Sequence, residues 1–387
     1  MSAVAVADLH LSDIPQPSAP ASAGVAVGDT FYFARTPDDR TANGAFLWKS
    51  DGTPAGTQVV TELNRFDDAS NFFEHNGTVY FAQSPDTGSG AVELWKTDGT
   101  RAGTVPVRQD LTNPLGGILP DMNLTAVGGT LYFTLGGLWK TDGTTNGAVR
   151  LTTNNAYSPF NSNGTLYFLT STGLWKSNGT SAGTVQVKAL PQTFYTPSDI
   201  VLSGGVMYFV RDGDLYRSDG TADGTVRHFD SIASLRDSAA VVTASGRVLF
   251  TGYAAGDGEE LFATDGTAEG TTLLKSIRPG VSSAGIGDFT VAGDAIYFVA
   301  DDGVHGPELW RSDGTEAGTA MVADLLPGAE GSSPSRLTAH DGRLYFAATH
   351  PALGRELFVT GAGVEGVRAA GDVYPGAAGS TPQLVIG

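Results

Sequence analysis

Histidine, serine and cysteine are the side chains that most often act as bases and nucleophiles, and here they form no known catalytic motif. The sequence has no cysteine, which excludes disulfides, thiolate metal sites and a cysteine nucleophile. It also has no GxSxG, HExxH or phosphate-binding loop. The six histidines occupy non-equivalent positions: His10, His75, His228, His305, His340 and His350. An isolated histidine is more often a surface or turn residue than a base, although a repeat protein brings distant positions together.

Aspartate recurs in an Asp-Gly-Thr triplet, first at Asp51 to Thr53. Carboxylates suit Ca²⁺, but a Ca²⁺ site takes about six to eight oxygen ligands close together, and each triplet supplies one carboxylate. The pattern is more typical of a tight turn, in which Asp accepts backbone N–H groups and Gly takes a positive φ. We therefore expect no cofactor and no metal; Ca²⁺ at the adjacent acids Asp301 and Asp302 is the weaker alternative.

The triplet belongs to a longer repeat that determines the architecture. LWKSDGTPAGT begins at Leu47, and related segments follow at intervals of 36 to 48 residues. They begin at Leu94, Leu138, Leu174, Leu215, Leu261, Leu309 and Leu357. A second signature, FYF at Phe31 and its variants, precedes every copy. Two motifs that stay in step over eight copies indicate one repeating structural unit.

Each repeat has the composition of four short β-strands. β-Branched and aromatic runs alternate with Gly, Asp, Asn and Pro, and no segment keeps the 3.6-residue period of a helix. Four-stranded units of about 40–50 residues are typical of a β-propeller. We predict an all-β fold, a single β-propeller of eight four-stranded blades, with seven as the fallback. The aromatic residue after each leucine, Trp48 in the first copy, is expected to pack between blades, with sugar stacking as the alternative.

The segments GAFLWKSDGTPAGT, VELWKTDGTRAGT and PELWRSDGTEAGT resemble the bacterial ELWxxDGT repeat family. The resemblance covers almost the whole chain. It departs at Asn178, which replaces the aspartate, and at Gly361 to Gly363, which replace Asp-Gly-Thr. It implies propeller-like repeats in bacterial proteins that are often secreted or surface-associated, and it implies no catalytic residue.

The two ends of the chain carry partial repeats, so we predict one propeller domain over residues 1–387. Residues 1–12 include AVAVADL, which is similar to the fourth-strand segment AMVADLL at Ala320. Eight repeats follow over about 13–376, and residues 377–387 form a surplus strand. We expect a terminal strand, 1–12 in our prediction, to close the propeller; a piece cut from a longer array is the alternative.

The net charge of −18 narrows the range of partners. Nucleic acid and anionic membrane surfaces both attract a basic face, and no apolar run approaches the roughly 20 residues of a spanning helix. We expect a soluble monomer that binds a protein, peptide or glycan, and neither nucleic acid nor membrane. No positively charged leader is visible, so the localisation stays open: secreted or surface-associated if a leader has been removed, cytoplasmic otherwise.

Variable connections mark the end of the propeller where we expect function. In an up-and-down blade the tight turns share one end, and the longer connections share the other, where loops on a rigid scaffold usually carry function. In blades three to five the connection between the second and third strands is short, and longer links between blades lie beside it. We predict a ligand-binding notch lined by Arg108, Asp110, Asp121, Phe194, Tyr195, Arg211, Asp212 and Arg236. Sequence drift without function is the alternative.

Arg211 is the sharpest single candidate in the notch. Only Arg35 matches it at the equivalent position, and the other repeats have uncharged residues there. A cation at this position would suit a carboxylate or a phosphate. The interpretation we favour is an ion pair with Asp212 or a neighbouring aspartate.

Two functions fit these observations. The first is a non-catalytic recognition or scaffold module that binds a peptide, glycan or protein partner through its loop-rich face. The second is a cofactor-free enzyme, a lyase, hydrolase or cyclase, with its site at the channel mouth. Propellers serve both functions, so the fold does not decide. The lack of a catalytic motif favours binding, whereas a carboxylate or histidine of strongly shifted pKa beside a cation would favour catalysis.

Overall fold

A computed structural model describes most of the chain, and the regular structure in the described residues is β. The described residues are 24–35, 45–51, 53, 55–63, 70–83, 91–112, 122–192, 200–229, 241–253, 256–363 and 366–371. Every regular element in these ranges is a strand, and the strands form eight four-stranded antiparallel sheets. The predicted fold class, all-β with eight four-stranded propeller blades, is confirmed. Within the same ranges no helix is long and apolar enough to cross a membrane.

The chain divides into two compact units, residues 1–192 and residues 193–386. Each unit contains four sheets, and each sheet is built from four consecutive strands in up-and-down order. We number the sheets blades 1 to 8 along the chain. The predicted terminal strands, 1–12 and 377–387, lie outside the described residues, and one domain over 1–387 stays a prediction.

The first unit contains blades 1 to 4. Blade 1 consists of β1 (Val25–Val27), β2 (Thr30–Arg35), β3 (Phe46–Ser50) and β4 (Gln58–Glu62). Blade 2 consists of β5 (Ser70–His75), β6 (Thr78–Gln83), β7 (Ala91–Thr97) and β8 (Val105–Thr112). Blade 3 consists of β9 (Leu124–Val127), β10 (Thr130–Thr134), β11 (Leu138–Thr141) and β12 (Val149–Thr152). Blade 4 consists of β13 (Tyr157–Ser162), β14 (Thr165–Thr170), β15 (Gly173–Ser177) and β16 (Val185–Ala189).

The second unit contains blades 5 to 8. Blade 5 consists of β17 (Val201–Ser203), β18 (Val206–Arg211), β19 (Asp214–Ser218) and β20 (Val226–Phe229). Blade 6 consists of β21 (Val241–Val242), β22 (Val248–Tyr253), β23 (Glu259–Thr264) and β24 (Thr272–Lys275). Blade 7 consists of β25 (Gly287–Ala292), β26 (Ala295–Asp301), β27 (Pro307–Ser312) and β28 (Ala320–Ala323). Blade 8 consists of β29 (Ser335–His340), β30 (Arg343–His350), β31 (Gly354–Gly361) and β32 (Arg368–Gly371).

An aromatic pair joins the second and third strands of every blade. In blade 1, Phe33 lies directly opposite Trp48 and their rings stack with centroids 6.3 Å apart. The other stacked pairs are Phe81–Trp95, Phe133–Trp139, Phe168–Trp175, Phe209–Tyr216, Phe250–Phe262, Phe298–Trp310 and Phe346–Phe358. The two repeated signatures, FYF and LW, therefore meet as cross-strand neighbours, and such pairs stabilise a sheet.

The same aromatic residues also pack against the preceding blade, as the sequence predicts. Trp95 of blade 2 packs on Leu47 and Val60 of blade 1. Trp310 of blade 7 belongs to one buried cluster with Leu261 of blade 6. Each ring buries about 150–250 Å² of apolar surface in such a position, so these contacts form the cores between neighbouring blades.

The middle tyrosine of the second strand contacts the Asp-Gly-Thr turn of the following blade. Gly143 of blade 3 has a φ of +76°, and a Cβ there would lie 2.5 Å from the hydroxyl oxygen of Tyr80 in blade 2. The pair Tyr132 and Gly179 repeats this geometry between blades 3 and 4, at 2.6 Å. Glycine is therefore required both by its φ and by the tyrosine, which links the two signatures across each of these blade boundaries.

Candidate functional site

The Asp-Gly-Thr triplet forms a closed hydrogen-bonded turn. In blade 2, Oδ1 of Asp98 accepts the backbone N–H of Thr100 at 2.9 Å and its hydroxyl at 2.7 Å. The Thr100 hydroxyl oxygen then accepts the N–H of Gly103 at 3.0 Å. The hydroxyl of Thr104 donates to the carbonyl of Thr100 at 2.7 Å. The turn interpretation is confirmed, because the carboxylate accepts internal donors.

In repeats 1 to 7 the first residue of the turn accepts the same two donors, the N–H and the hydroxyl of the threonine two residues later. The aspartates are Asp51, Asp98, Asp142, Asp219, Asp265 and Asp313. In each case the hydroxyl of the following threonine lowers the pKa of the aspartate, and the threonine N–H adds to this effect. Asn178 replaces the aspartate in blade 4 and accepts the same two donors from Thr180, at 3.0 and 2.8 Å.

Half of the residues of the predicted notch lie in the part of the chain that the structure describes. Asp121, Phe194, Tyr195 and Arg236 lie outside it. Arg108 and Asp110 lie on β8 of the first unit, where Nη2 of Arg108 donates to Oδ2 of Asp110 at 2.9 Å. Nε of Arg108 lies against the second carboxylate oxygen of Asp110. This two-point contact already balances the Arg108 charge.

Arg211 and Asp212 lie in the second unit, at the end of β18. The predicted short connection is present: Asp212, with a φ of +52°, and Gly213, with a φ of +81°, form the tight turn to β19. Aspartate followed by glycine is typical of a two-residue hairpin turn. The Arg211 side chain is 2% exposed. Burial lowers the pKa of Arg211 and the charge of Asp212 opposes this effect. The ion pair of Arg211 with Asp212 or a neighbouring aspartate stays a prediction.

Blades 6 to 8 form the loop-bearing end of the second unit. We use this name for residues 256–258, 276–286, 302–306, 324–334 and 351–353, which join second to third strands and blade to blade. Backbone hydrogen bonds tie these segments together: Gly258 N–H donates to Gly280 at 2.7 Å, and Ala284 N–H to Glu259 at 3.0 Å. The link that follows a blade therefore lies against the connection between the second and third strands of that blade.

Two buried glutamates fix the links between these blades. Glu260 is 0% exposed and accepts the N–H groups of Ile277 at 2.6 Å and Arg278 at 3.0 Å. Glu308 is also 0% exposed and accepts the N–H of Ser332 at 2.8 Å and its hydroxyl at 2.5 Å. Burial raises the pKa of both glutamates, and these donors oppose that effect. Each glutamate thus anchors the link that follows its own blade.

The sequence analysis did not assign these glutamates, although a signal for them exists. A glutamate precedes the repeated leucine in blades 2, 6, 7 and 8, at Glu93, Glu260, Glu308 and Glu356. The links after blades 6 to 8 also share a Pro-Gly pair, at Pro279, Pro327 and Pro375. The coincidence of a buried glutamate with a Pro-Gly link marks the anchored connections.

Asp301 and Asp302 accept hydrogen bonds from protein donors on both carboxylate oxygens. Oδ2 of Asp301 accepts Nη1 of Arg278 at 2.5 Å, and Oδ1 accepts the N–H of Gly303 at 2.7 Å. Oδ1 of Asp302 accepts the N–H groups of Val304 and His305, both at 2.9 Å. Over the described ranges, no three His, Cys, Asp or Glu side chains are grouped to hold a metal ion. Ca²⁺ at these acids stays a prediction.

The side chains of Asp302 and His305 also form a hydrogen-bonded dyad. Oδ2 of Asp302 lies 2.7 Å from Nδ1 of His305, whose side chain is 37% exposed. Burial alone would raise the pKa of Asp302, but the N–H and imidazole donors of His305 lower it overall. The same hydrogen bond raises the pKa of His305. The acceptor geometry orients the imidazole ring, as the carboxylate does in acid–base dyads.

The comparisons with known proteins assign no family and no activity. No protein-family model matches the chain, and no curated protein sequence is significantly similar to it. The computationally designed Ika8 protein aligns at 12% identity and a TM-score of 0.46, over 85% of this chain and 92% of its own. A prolyl endopeptidase structure aligns at 15% identity and 0.49, over 91% of this chain and 50% of its own.

A puromycin-hydrolyzing peptidase of Mycobacterium tuberculosis aligns at 12% identity and a TM-score of 0.43, over 92% of this chain and 61% of its own. The chain thus spans less than two thirds of the length of both peptidases. Likenesses at this level transfer no substrate or mechanism.

Proposed function

We propose that the chain is a non-catalytic recognition or scaffold module, and that the loop-bearing end of blades 6 to 8 is its binding surface. The observation that carries the proposal is the anchoring of the links by buried Glu260 and Glu308, which bond to Ile277, Arg278 and Ser332. Loops fixed before binding lose less conformational entropy when a partner arrives. The anchored links therefore suit a preorganised surface.

Exposed apolar residues on these fixed loops supply a contact for the partner. Val281 is 90% exposed and Val304 is 66% exposed. Their loops touch, because a Cβ on Gly303 would lie 3.1 Å from Nε of Arg278. The surrounding aspartates and the net charge of −18 favour a cationic partner. We propose a polypeptide segment with one apolar side chain flanked by Lys or Arg.

A phage-displayed library of random peptides tests this surface. We expect wild-type protein to select apolar–basic peptides that bind the V281S/V304S variant about tenfold more weakly, because their apolar side chain loses its contact. V291S is the matched control. Val291 is 46% exposed and, like Val304, belongs to blade 7, but it lies beside the turn of Gly293. Equal binding to wild type and V281S/V304S would contradict the proposal.

The notch stays a separate proposal for a second contact region. Its residues are Arg108, Asp110, Asp121, Phe194, Tyr195, Arg211, Asp212 and Arg236. Unchanged affinity of the selected peptides for the R108Q variant would remove Arg108 from the binding surface.

We also propose that the chain belongs to the ELWxxDGT repeat family and acts as a monomer without affinity for nucleic acid or membranes. The recurrence of one turn, one aromatic pair and one blade topology along the chain supports the family assignment. The charge of −18 supports the partner assignment. Light scattering during size-exclusion chromatography tests the monomer, and a dimer mass would contradict it.

A cofactor-free enzyme is the second candidate function, and the His305–Asp302 dyad favours it. An imidazole oriented by a carboxylate is the arrangement of a general base. A panel of fluorogenic esters, lactones, peptides and glycosides tests this function. Turnover that follows the ionisation of His305 and is lost in H305Q would support an enzyme. No turnover, or turnover unchanged in H305Q, would contradict it.

A further inference from the structure

An Asn-Gly pair forms the turn between the first and second strands of blades 2 and 4. Asn76 and Gly77 join β5 to β6 with φ values of +53° and +76°, and Asn163 and Gly164 join β13 to β14 with +51° and +80°. This pair is typical of a two-residue hairpin turn in which both residues take a positive φ. Both asparagines are exposed, so the first unit contains two turns of the same sequence and the same backbone geometry.

An Asn-Gly pair can convert spontaneously to an acidic residue. The backbone nitrogen of the glycine attacks Cγ of the asparagine, ammonia leaves, and the succinimide that results is opened by water to aspartate or isoaspartate. Glycine has no side chain that would shield the attacking nitrogen. The reaction needs a base for the proton of the attacking N–H and an acid for the departing nitrogen, and positioned side chains accelerate such proton transfers.

The turn of blade 2 places a carboxylate at the attacking nitrogen. The N–H of Gly77 donates to Oε1 of Glu74 at 2.7 Å. In blade 4 the N–H of Gly164 donates instead to the amide oxygen of Asn161, at 3.0 Å. A carboxylate can take up the proton, whereas an amide oxygen is a far weaker base. Blade 2 therefore has a base that blade 4 lacks.

His75 lies at the departing nitrogen of the same turn. Its Nε2 lies 3.1 Å from Nδ2 of Asn76 and 3.1 Å from the carbonyl oxygen of Gly129 in blade 3. A carbonyl oxygen can only accept a hydrogen bond, so Nε2 carries a hydrogen. The residue before the asparagine in blade 4 is Ser162. Blade 2 therefore also has an acid that blade 4 lacks.

We propose that Asn76 is a self-modification site, at which Glu74 and His75 promote conversion of the asparagine to aspartate or isoaspartate. The Gly77 nitrogen bonds to Cγ of Asn76 and gives its proton to Glu74. The Cγ–Nδ2 bond then breaks while the imidazolium form of His75 protonates the departing ammonia. Water opens the succinimide, and the proton on Glu74 returns to His75 through solvent. The site goes beyond the recognition surface, because it lies in the first unit and involves other residues.

Incubation of the full-length protein in heavy-oxygen water at neutral pH, followed by proteolysis and mass spectrometry, tests the site. The heavy oxygen labels the acids that form during the incubation, and Asn163 is the internal reference in every sample. We expect Asn76 to convert at least about tenfold faster than Asn163, because a positioned acid or base accelerates a reaction by about 10²–10⁴. Equal rates at Asn76 and Asn163 would overturn the proposal.

The variants E74Q and H75S test the two proton transfers separately. E74Q keeps an oxygen that can accept the Gly77 N–H but removes the base, and H75S introduces the residue that precedes Asn163 in blade 4. We expect each variant to slow the conversion of Asn76 toward the rate of Asn163. If the two side chains only held the turn rigid, their loss would loosen it and speed the conversion. An unchanged or faster rate at Asn76 in either variant would overturn the proposal, whatever the peptide library shows.

Discussion

Asn178 shows what the repeated turn requires of its first residue. The asparagine accepts the N–H and the hydroxyl of Thr180 at 3.0 and 2.8 Å, as Asp313 accepts those of Thr315 at 2.8 and 2.7 Å. Asparagine has no charge, so the shared requirement is an acceptor oxygen. The aspartates of these turns therefore act as hydrogen-bond acceptors within the turn itself.

Replacing the glycine of the turn with alanine should lower the unfolding free energy, and the loss can be measured. Gly266 has a φ of +90° and lies against the hydroxyl of Tyr208, whereas Gly205 has a φ of +82° and a Cβ there would meet no atom within 4 Å. We expect G205A to lower the unfolding free energy by about 1 kcal/mol, for the φ alone, and G266A to lower it by more. Urea unfolding measures both.

The double variant Y208F/G266A provides the control for that comparison. Removing the hydroxyl oxygen should recover part of the loss in G266A, because the two residues contact each other and their effects are not additive. Equal losses in G205A and G266A, or no recovery in the double variant, would show that the tyrosine does not constrain the turn.

At the scale of the element, Glu308 joins a strand to the link that follows it. In Glu308, Oε1 accepts the N–H of Ser332 and Oε2 accepts its hydroxyl, so E308Q places an N–H₂ donor against one of these two groups. We expect the Ser332 amide to exchange hydrogen at least about tenfold faster, and the unfolding free energy to fall by about 1–3 kcal/mol. Hydrogen exchange read by mass spectrometry measures the first effect.

E316Q is the control for the link. Glu316 is an exposed residue of the turn in the same blade, so its neutralisation should leave exchange over 324–334 unchanged. If E308Q and E316Q exchange alike in that segment, the buried glutamate does not hold the link.

His228 makes the contact between blades 5 and 6 sensitive to pH. Its Nε2 lies 2.9 Å from the hydroxyl of Thr271 and 3.1 Å from that of Thr264. Burial, and then the charge of Arg217, lowers the pKa of His228. The unfolded chain, whose histidine titrates near 6.5, therefore binds the proton more readily than the folded chain. Stability from this residue is present above about pH 6.5 and is lost as the pH falls toward the lowered pKa.

The variant H228V tests this pH dependence of stability. Valine suits the position, because Val107 and Val187 occupy it in blades 2 and 4. We expect the unfolding free energy of the wild type to fall relative to H228V between pH 7.5 and 5. The raised pKa values of Glu260 and Glu308 act in the opposite direction at lower pH, and they are common to both proteins. An identical pH dependence in the two proteins would contradict the assignment.

At the scale of the whole molecule, the repeat alone predicts most of the architecture. Strand number, blade count, the turn at Asp98 and the packing of Trp95 all follow from local patterns that recur in register. The stacking of Phe33 on Trp48 and the contact of Tyr80 with Gly143 do not, because they depend on cross-strand register and on the neighbouring blade. The repeat thus predicts the structure of one blade, whereas the contacts between strands and between blades depend on tertiary packing.

The candidate site was harder to predict for the same reason. Sequence reasoning placed function at the variable connections, and it singled out residues such as Arg211, which is 2% exposed. It did not find the anchors Glu260 and Glu308, because their signal is the coincidence of a glutamate with a Pro-Gly pair in the next link, and neither feature indicates burial by itself.

Hydrogen exchange of the protein with and without a library-selected peptide tests the central claim, that recognition belongs to the loop-bearing end of blades 6 to 8 and centres on the segments of Val281 and Val304. The account predicts slower exchange in 276–286 and 302–306 when the peptide is bound. It predicts no change in the turn at 313–318, whose Asp313 accepts only internal donors. Protection confined to the turns, with none in the two loop segments, would contradict it.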